Sequence, residues 1–455
     1  MLKTPVKLTD EILKRTVSRC PVCHASCPAE VWRTGGIPSK VFLKRSCPEH
    51  GAVSVCLASD ARFYWLAKGK TENSRGCEGG GCCSADGSIP GTLGRNANPG
   101  DALGVMEKLA TCLCLIEIVN SCNLTCPTCY ANSPLGVKQH VDAVPIENLK
   151  QRIQGDIDRK GKIEILQLSG GEPTLHPDFF PLLRWLHDHP QIDCVLLNTN
   201  GVRIARDDDF AHELAATFRY GKFQLYLQFD GPQEAGQAAL RGADLRKTRE
   251  ECLQRCQQMK LPVTLAMTVL PENLPHLWGA VEFALRWPNV RGICFQPRFN
   301  SGRVLGTAAH PINTADIILA AVGQSGGQLR FDDFTPLPCG DPNCATIGYL
   351  LKIAGKIRSV SDFIDFKNVQ GFLSTRVRYK LEDLMKCGCE SEPLGKLLKE
   401  FELDESHTFR LFIKPFMDAA TWDEDRIDRC CTHVIRPDGK LDSFCRYYSG
   451  FADKL

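Results

Sequence analysis

Between residues 112 and 300 six short apolar runs alternate with amphipathic segments, and this alternation restricts the fold more than any other feature. The runs are TCLCLIEIVNSC, IEILQLSGG, CVLLNTNG, FQLYLQFDG, PVTLAMTVL and VRGICFQPRF. Each is strand-length and bounded by Gly, Pro or Asn. Between them lie helix-length segments such as IENLKQRIQGDIDRKG, PDFFPLLRWLHDH and LRKTREECLQRCQQMK. Strand and helix in strict alternation mean parallel strands joined by crossover helices. Six units are too few to close an eight-stranded barrel. The sequence therefore predicts an α/β fold, a partial (β/α)6 TIM-like barrel, with an open doubly wound sheet as the alternative.

In either architecture chemistry gathers at the carboxyl ends of the strands. Four of these ends are polar, and three of the four contain glycine. The first leads into SCNLTCPTCYANS, the second ends in SGGEP (Ser169 to Pro173), the third in NTNG (Asn198 to Gly201) and the fourth in QFDG (Gln228 to Gly231). Turn chemistry alone could place single Asn, Asp and Gly residues there. Four such ends converging on one mouth are hard to explain by packing.

The chain holds 24 cysteines. No secretory h-region opens the sequence, so a cytoplasmic location is expected, where thiols stay reduced and serve as metal ligands or redox groups. Cys122, Cys126 and Cys129 form a C-x-x-x-C-x-x-C triplet followed by Tyr130, without a fourth ligand nearby. A zinc site would want four ligands. Three thiolates can instead hold three irons of a [4Fe-4S] cluster and leave the fourth iron open for a small molecule.

This triplet, followed one βα unit later by GGEP, resembles the radical S-adenosylmethionine (radical SAM) superfamily. The resemblance implies that Cys122, Cys126 and Cys129 bind a [4Fe-4S] cluster and that the open iron chelates S-adenosylmethionine, which is then cleaved to a 5'-deoxyadenosyl radical. By the same resemblance Tyr130 packs near the adenine, and Gly170, Gly171 and Glu172 receive the methionine amino group. Asn198, Asn200, Gln228 and Asp230 are expected to contact the ribose or carboxylate, and Ile293 and Phe295 to line the adenine pocket. No catalytic acid or base is assigned.

Cysteine-rich modules flank the barrel. The expected domains are residues 1–110, a cysteine-rich N-terminal module; 111–305, the barrel; and 306–455, a C-terminal auxiliary-cluster domain. CPVC (Cys20, Cys23) and CPEH (Cys47, His50) read as two knuckles around a mononuclear iron or zinc, with His50, Cys27 or a cysteine at 77–83 as the fourth ligand. Cys77, Cys82, Cys83 and Cys112 could hold a further cluster. Cys339, Cys344, Cys387, Cys389, Cys430 and Cys445 form a C-terminal set, in which the PDG turn brings Cys430 and Cys445 together. This layout resembles the archaeal tetraether lipid synthase group, one member of which is also described as a pterin methyltransferase. It implies two auxiliary clusters besides the SAM-binding one, and C–C bond formation on a lipid or methylation as the reaction. CEGGGCC and the insertion after it depart from that group's tighter spacing. A peptide-modifying maturase, or a metal-binding protein without catalysis, are the competing readings.

Charge excludes one class of partner: 55 Lys and Arg against 53 Asp and Glu leave no basic field for nucleic acid. No apolar run approaches the roughly 20 residues of a transmembrane helix, so only surface contact with a membrane is expected. The expected partners are a small-molecule or lipid substrate and an electron donor such as ferredoxin or flavodoxin.

Overall fold

The computed structural model describes residues 9–66, 111–136, 140–304, 310–337, 340–353, 356–362 and 407–449. Cys77, Cys82, Cys83, Cys339, Cys387 and Cys389, named above as ligands, lie outside these residues. The chain begins with a four-stranded antiparallel sheet, β1 (Glu11–Arg19), β2 (Ser26–Arg33), β3 (Val41–Cys47) and β4 (Gly51–Ala58). One face buries Ala29, Val31, Val41 and Leu43, too little core for so small a unit to stand alone. Its turns supply the remainder. Ligand atoms of Cys20, Cys23, Cys47 and His50 all lie within 4.8 Å of one another, a spacing that fits one tetrahedral ion. The His50 imidazole and nearby backbone N–H groups pull the Cys47 thiol down to about 6, so it is in its ligating thiolate form at neutral pH. Cys27 is fully buried against Cys20 and Cys47 but is not one of the four.

The six apolar runs form six parallel, sequentially adjacent strands: β5 (Leu113–Val119), β6 (Ile163–Gly170), β7 (Ile192–Thr199), β8 (Phe223–Gln228), β9 (Val263–Val269) and β10 (Val290–Pro297). Helices between them bury one stripe each; in Ile146–Lys160 it is Leu149, Ile153 and Ile157. Strand side chains alternate strictly. Leu166 and Leu168, Val195 and Leu197, Leu225 and Leu227, and Leu265 and Met267 join the helices in one core. The intervening residues, among them Gln167, Asn198, Tyr226 and Thr264, turn inward to line a cavity.

Six parallel strands leave two edges of unpaired backbone, and segments far along the chain cover both. β11 (Thr335–Pro336), β12 (Thr346–Ile353) and β13 (Lys356–Ser359) lead to β14 (Thr408–Ile413), which pairs parallel to β10 as Gly292 to Phe295 against Arg410 to Ile413. β15 (Thr432–Ile435) pairs parallel to β5 and returns antiparallel as β16 (Leu441–Ser443). Phe409, Leu411 and Ile413 enter the barrel core, while Arg410, Phe412 and Lys414 face the cavity.

The N-terminal sheet docks on this C-terminal segment through polar contacts. Lys14 pairs with Asp423 at 2.6 Å, and Thr16 Oγ1 donates to the same carboxylate at 2.7 Å. Arg45, only 4% exposed, donates to the Ala420 carbonyl at 2.8 Å while facing Cys20 and Cys27. The metal site and the docking contact thus share one guanidinium. Replacing Cys47 with Ser is expected to remove one metal equivalent per chain and to open the 12–59 region to protease. Cys27→Ser is expected to retain the metal. Elemental analysis and limited proteolysis of the two full-length variants check both outcomes.

Candidate active site

The loop that carries Cys122, Cys126 and Cys129 leaves the carboxyl end of β5 and is held mainly by backbone. Cys122 N–H donates to Pro134 O at 2.8 Å, and Gly136 N–H to Cys122 O at 2.8 Å. Cys129 and Arg303 exchange two backbone bonds of 3.0 and 2.9 Å, and the Arg303 guanidinium reaches Cys126 O (3.1 Å) and Ser133 O (2.8 Å). Gly302 (φ +64°) makes this possible: a Cβ there would lie 2.2 Å from Cys129 O. Sequence reasoning missed Gly302 and Arg303; their only signal is SGR shortly after the sixth strand. The Cys122 thiol is pushed up to about 12, first by burial and then by Glu172 and the neighbouring Cys126 and Cys129. Among the described residues the triplet is not part of a set of ligand atoms within 4.8 Å. Such spread thiols suit a multinuclear cluster with several metal atoms better than a single ion.

The SGGEP segment packs directly on the start of this loop. Gly171 N–H donates to Val119 O (2.8 Å) and Glu172 N–H to Ser121 O (2.9 Å). A Cβ on Gly170 would lie 2.0 Å from Val119 O, and one on Gly171 2.0 Å from Ser121 O. The glycines therefore admit the neighbouring strand end. Glu172, 1% exposed, accepts from the Thr174 N–H and hydroxyl, the Thr199 hydroxyl (2.7 Å) and the Asn200 N–H (2.8 Å). Burial raises its pKa against these donors. It thereby ties the ends of β6 and β7 together beneath the cysteine loop. Asn200 completes the tie, its amide donating to Asn123 Oδ1 at 2.7 Å.

The cavity inside the barrel has a volume of about 310 Å³. Cys129, Tyr130 and Thr128 line one end, with Asn198, Gln228 and Arg241. The Tyr130 ring stands edge-on to Tyr448 with centroids 4.8 Å apart, and near Phe444 and Phe299. Burial pushes its phenol up to about 12. The OH groups of Tyr447 and Tyr448 donate to Glu117 at 2.8 and 2.7 Å and join this aromatic wall to β5. Gln228 accepts from Arg249 Nη2 at 2.9 Å, which fixes its amide plane at the cavity wall.

Cys344, Cys430 and Cys445, all in the C-terminal set, line the same cavity, together with Cys112 and Cys431. Burial and then its neighbours Cys430 and Cys344 push the Cys445 thiol up to about 12, and burial and Cys344 raise Cys430. Met417 N–H donates to Cys445 Sγ at 3.3 Å, and Arg426 Nη2 to Cys344 Sγ at 3.6 Å. Converging thiols that receive N–H donors can hold an iron–sulfur cluster. Cys431, beside Cys430 in the same segment, reaches the cavity because β15 covers β5.

Two groups of expected contacts sit elsewhere. Asp230 forms a buried ion pair with Arg241 (2.6 and 2.9 Å) and accepts from Thr268 N–H, so Arg241 is the member that reaches the cavity wall and Cys126. Ile293 and Phe295 point into the helix-side core. The cavity-facing residues of β10 are Cys294 and Gln296, one step away in register. Cys194 lines the cavity as well, whereas Cys252 and Cys256 are core.

Comparison with known proteins agrees with this geometry. Residues 116–284 match the family model of the radical SAM superfamily, and residues 12–59 that of the HMPTM N-terminal zinc ribbon domain. The 7,8-dihydro-6-hydroxymethylpterin dimethyltransferase of Methanocaldococcus jannaschii is 26% identical, over 95% of this chain and 93% of its own. The GTP 3',8-cyclase of Syntrophomonas wolfei is 27% identical over 40% of this chain and 54% of its own. Streptococcus suis SuiB bound to S-adenosylmethionine superposes at a TM-score of 0.35 with 14% identity, covering 44% of each chain, a likeness too slight to argue from. Among the described residues no helix is long and apolar enough to cross a membrane. With the superfamily model running from β5 into the helix before β10, and Cys122, Cys126 and Cys129 at the mouth of that barrel, the chain is a radical SAM enzyme.

Proposed function

We propose that this chain is a radical SAM methyltransferase acting on a pterin. The observation that carries the reading is the end-to-end similarity to a pterin dimethyltransferase, and the cavity wall supports it. Gln167, Gln224, Tyr226, Thr264 and Gln296 present amide and hydroxyl groups inside the barrel. Gln296 Nε2 donates to Tyr226 OH at 3.0 Å, which leaves its carbonyl oxygen for a ligand. Neutral donors and acceptors around Phe412 suit the edges and face of a fused heteroaromatic ring.

In this reading Cys122, Cys126 and Cys129 hold a [4Fe-4S] cluster, and Cys344, Cys430 and Cys445 are ligands of an auxiliary one; the N-terminal ribbon holds zinc. The bound cofactors supply the electron that splits S-adenosylmethionine and the radical that takes hydrogen from an unactivated C–H bond. The chain's own residues position and shield. Asn198, held by Ser169 at 3.2 Å, and Gln228, held by Arg249, present amides toward the ribose. Arg241 presents a guanidinium to the methionine carboxylate. Glu172 keeps the strand ends and cysteine loop in register, and the Tyr130, Phe299 and Phe444 wall excludes water and stray hydrogen donors. An external one-electron donor of the ferredoxin or flavodoxin kind completes the system.

The direct test is anaerobic incubation of the reconstituted protein with reductant, S-adenosylmethionine and 7,8-dihydro-6-hydroxymethylpterin. Methylated pterin and 5'-deoxyadenosine are expected, with a second S-adenosylmethionine as the methyl source, because the molecule cleaved to 5'-deoxyadenosine keeps its methyl on methionine; 5'-deoxyadenosine without methylated pterin would point to another substrate or methyl donor. A Cys122, Cys126 and Cys129 to Ala variant should form neither product while keeping its ribbon metal and its remaining iron. Gln296→Leu is expected to raise KM for the pterin about tenfold, the worth of one hydrogen bond, with S-adenosylmethionine binding unchanged. Glu172→Gln places an amide NH2 among four donors and should lower stability by about 1–3 kcal/mol, read as a lower urea midpoint.

A further inference from the structure

The cavity wall contains Arg241, Arg298, Arg410 and Lys414 and, among the described residues, no carboxylate. A cation drawn out of water is costly unless an anion answers it. Arg241 is answered by Asp230, and Arg298 is engaged as well. Lys414 donates to Thr432 Oγ1 at 3.0 Å and faces Cys430, where thiolates of a loaded C-terminal site would balance it. Arg410 remains. It is half-buried and, among the described residues, has no ion pair or side-chain hydrogen bond; the Phe412 ring centroid lies 6.0 Å away.

Its position is built rather than incidental. Across the sheet one row of residues runs Tyr226, Thr264, Gly292, Arg410 on β8, β9, β10 and β14. Gly292 lets β14 approach β10 closely, since a Cβ there would come within 2.4 Å of Arg410 O and 3.0 Å of Arg410 Cβ. The Thr264 and Tyr226 side chains follow in the same row on β9 and β8. Arg410 also lies four residues before Lys414, about 13 Å in extended chain. A guanidinium beside neutral donors matches a phosphate better than a neutral ring edge.

Resting on the pterin reading, we infer that Arg410 binds an anionic substituent of the substrate, so that the enzyme acts on a phosphorylated pterin in preference to the neutral one. The ring lies against the amide and hydroxyl groups inside the barrel, and the phosphate against the Arg410 guanidinium.

The test is equilibrium binding to the anaerobically reconstituted full-length protein in the presence of S-adenosylmethionine. The probes are 7,8-dihydro-6-hydroxymethylpterin, its monophosphate, the 6-carboxy analogue and GTP. The monophosphate is expected to bind at least about tenfold tighter than the neutral pterin, as one charge-assisted contact provides. Arg410→Met should erase that preference without changing affinity for the neutral pterin, and Arg410→Lys should keep part of it. Iron content and the urea midpoint verify that both variants are folded and loaded. Equal wild-type affinity for neutral and phosphorylated pterin, or a preference that survives Arg410→Met, overturns the inference while leaving the pterin reading intact. Tighter binding of the 6-carboxy analogue overturns the phosphate assignment. If GTP binds and no pterin does, the pterin reading fails, and Arg410→Met measured on GTP decides the arginine's role. If no probe binds, both fail.

Discussion

Everything in this molecule depends on how a six-stranded parallel sheet disposes of its two edges. A parallel sheet is stable when both faces and both edges are covered. Here β14 pairs with β10 and β15 with β5, so strands from beyond residue 407 complete the wall of the barrel. The same two pairings deliver Lys414, Cys430, Cys431 and Cys445 to the cavity. Closing the sheet and assembling the second cysteine site are a single event, because the residues that do one carry the other.

The strand ends show how the cysteine loop is held without side chains that compete for metal. Gly170, Gly171 and Gly302 let three backbone segments approach too closely for any Cβ. Glu172 and Arg303 then satisfy the polar groups these approaches bury. Such rigidity matters where reacting atoms must stand within a few tenths of an ångström of their places. The cavity beyond is lined mostly by apolar side chains with amides, hydroxyls and cations set among them, which gives a substrate both hydrogen-bonding and charge cues for orientation.

The barrel was legible because each strand pairs with the next one in sequence and each carries its own boundary signals. The triplet was legible because a ligand count of three is itself informative. CPVC and CPEH announced a metal module, and the structure adds that His50 lies with Cys20, Cys23 and Cys47. What failed did so for physical reasons. GICFQ is apolar on both sides, as a doubly buried strand is, so periodicity could not say that Cys294 and Gln296 face inward while Ile293 and Phe295 do not. Asp230 reads as a free acceptor until Arg241, eleven residues on, folds back to pair with it. β14 and β15 join strands far away in sequence, and no local pattern encodes such a partner. Arg303 is the same case, a long-range staple with a short-range sequence that looks like a turn.

The late position of β14 and β15 has a consequence for biogenesis. Non-local pairing of this kind forms slowly, because loop closure precedes the contacts that reward it. While the chain is emerging, the barrel can pair β5 through β10 with both edges open and the cysteine loop reachable from outside. Once the C-terminal strands dock, Cys126 is 8% exposed and Cys445 7%. The C-terminal cysteines reach the cavity only with those strands, so their site is completed after the barrel, whereas Cys122 and Cys129 at the mouth stay partly exposed in the finished fold.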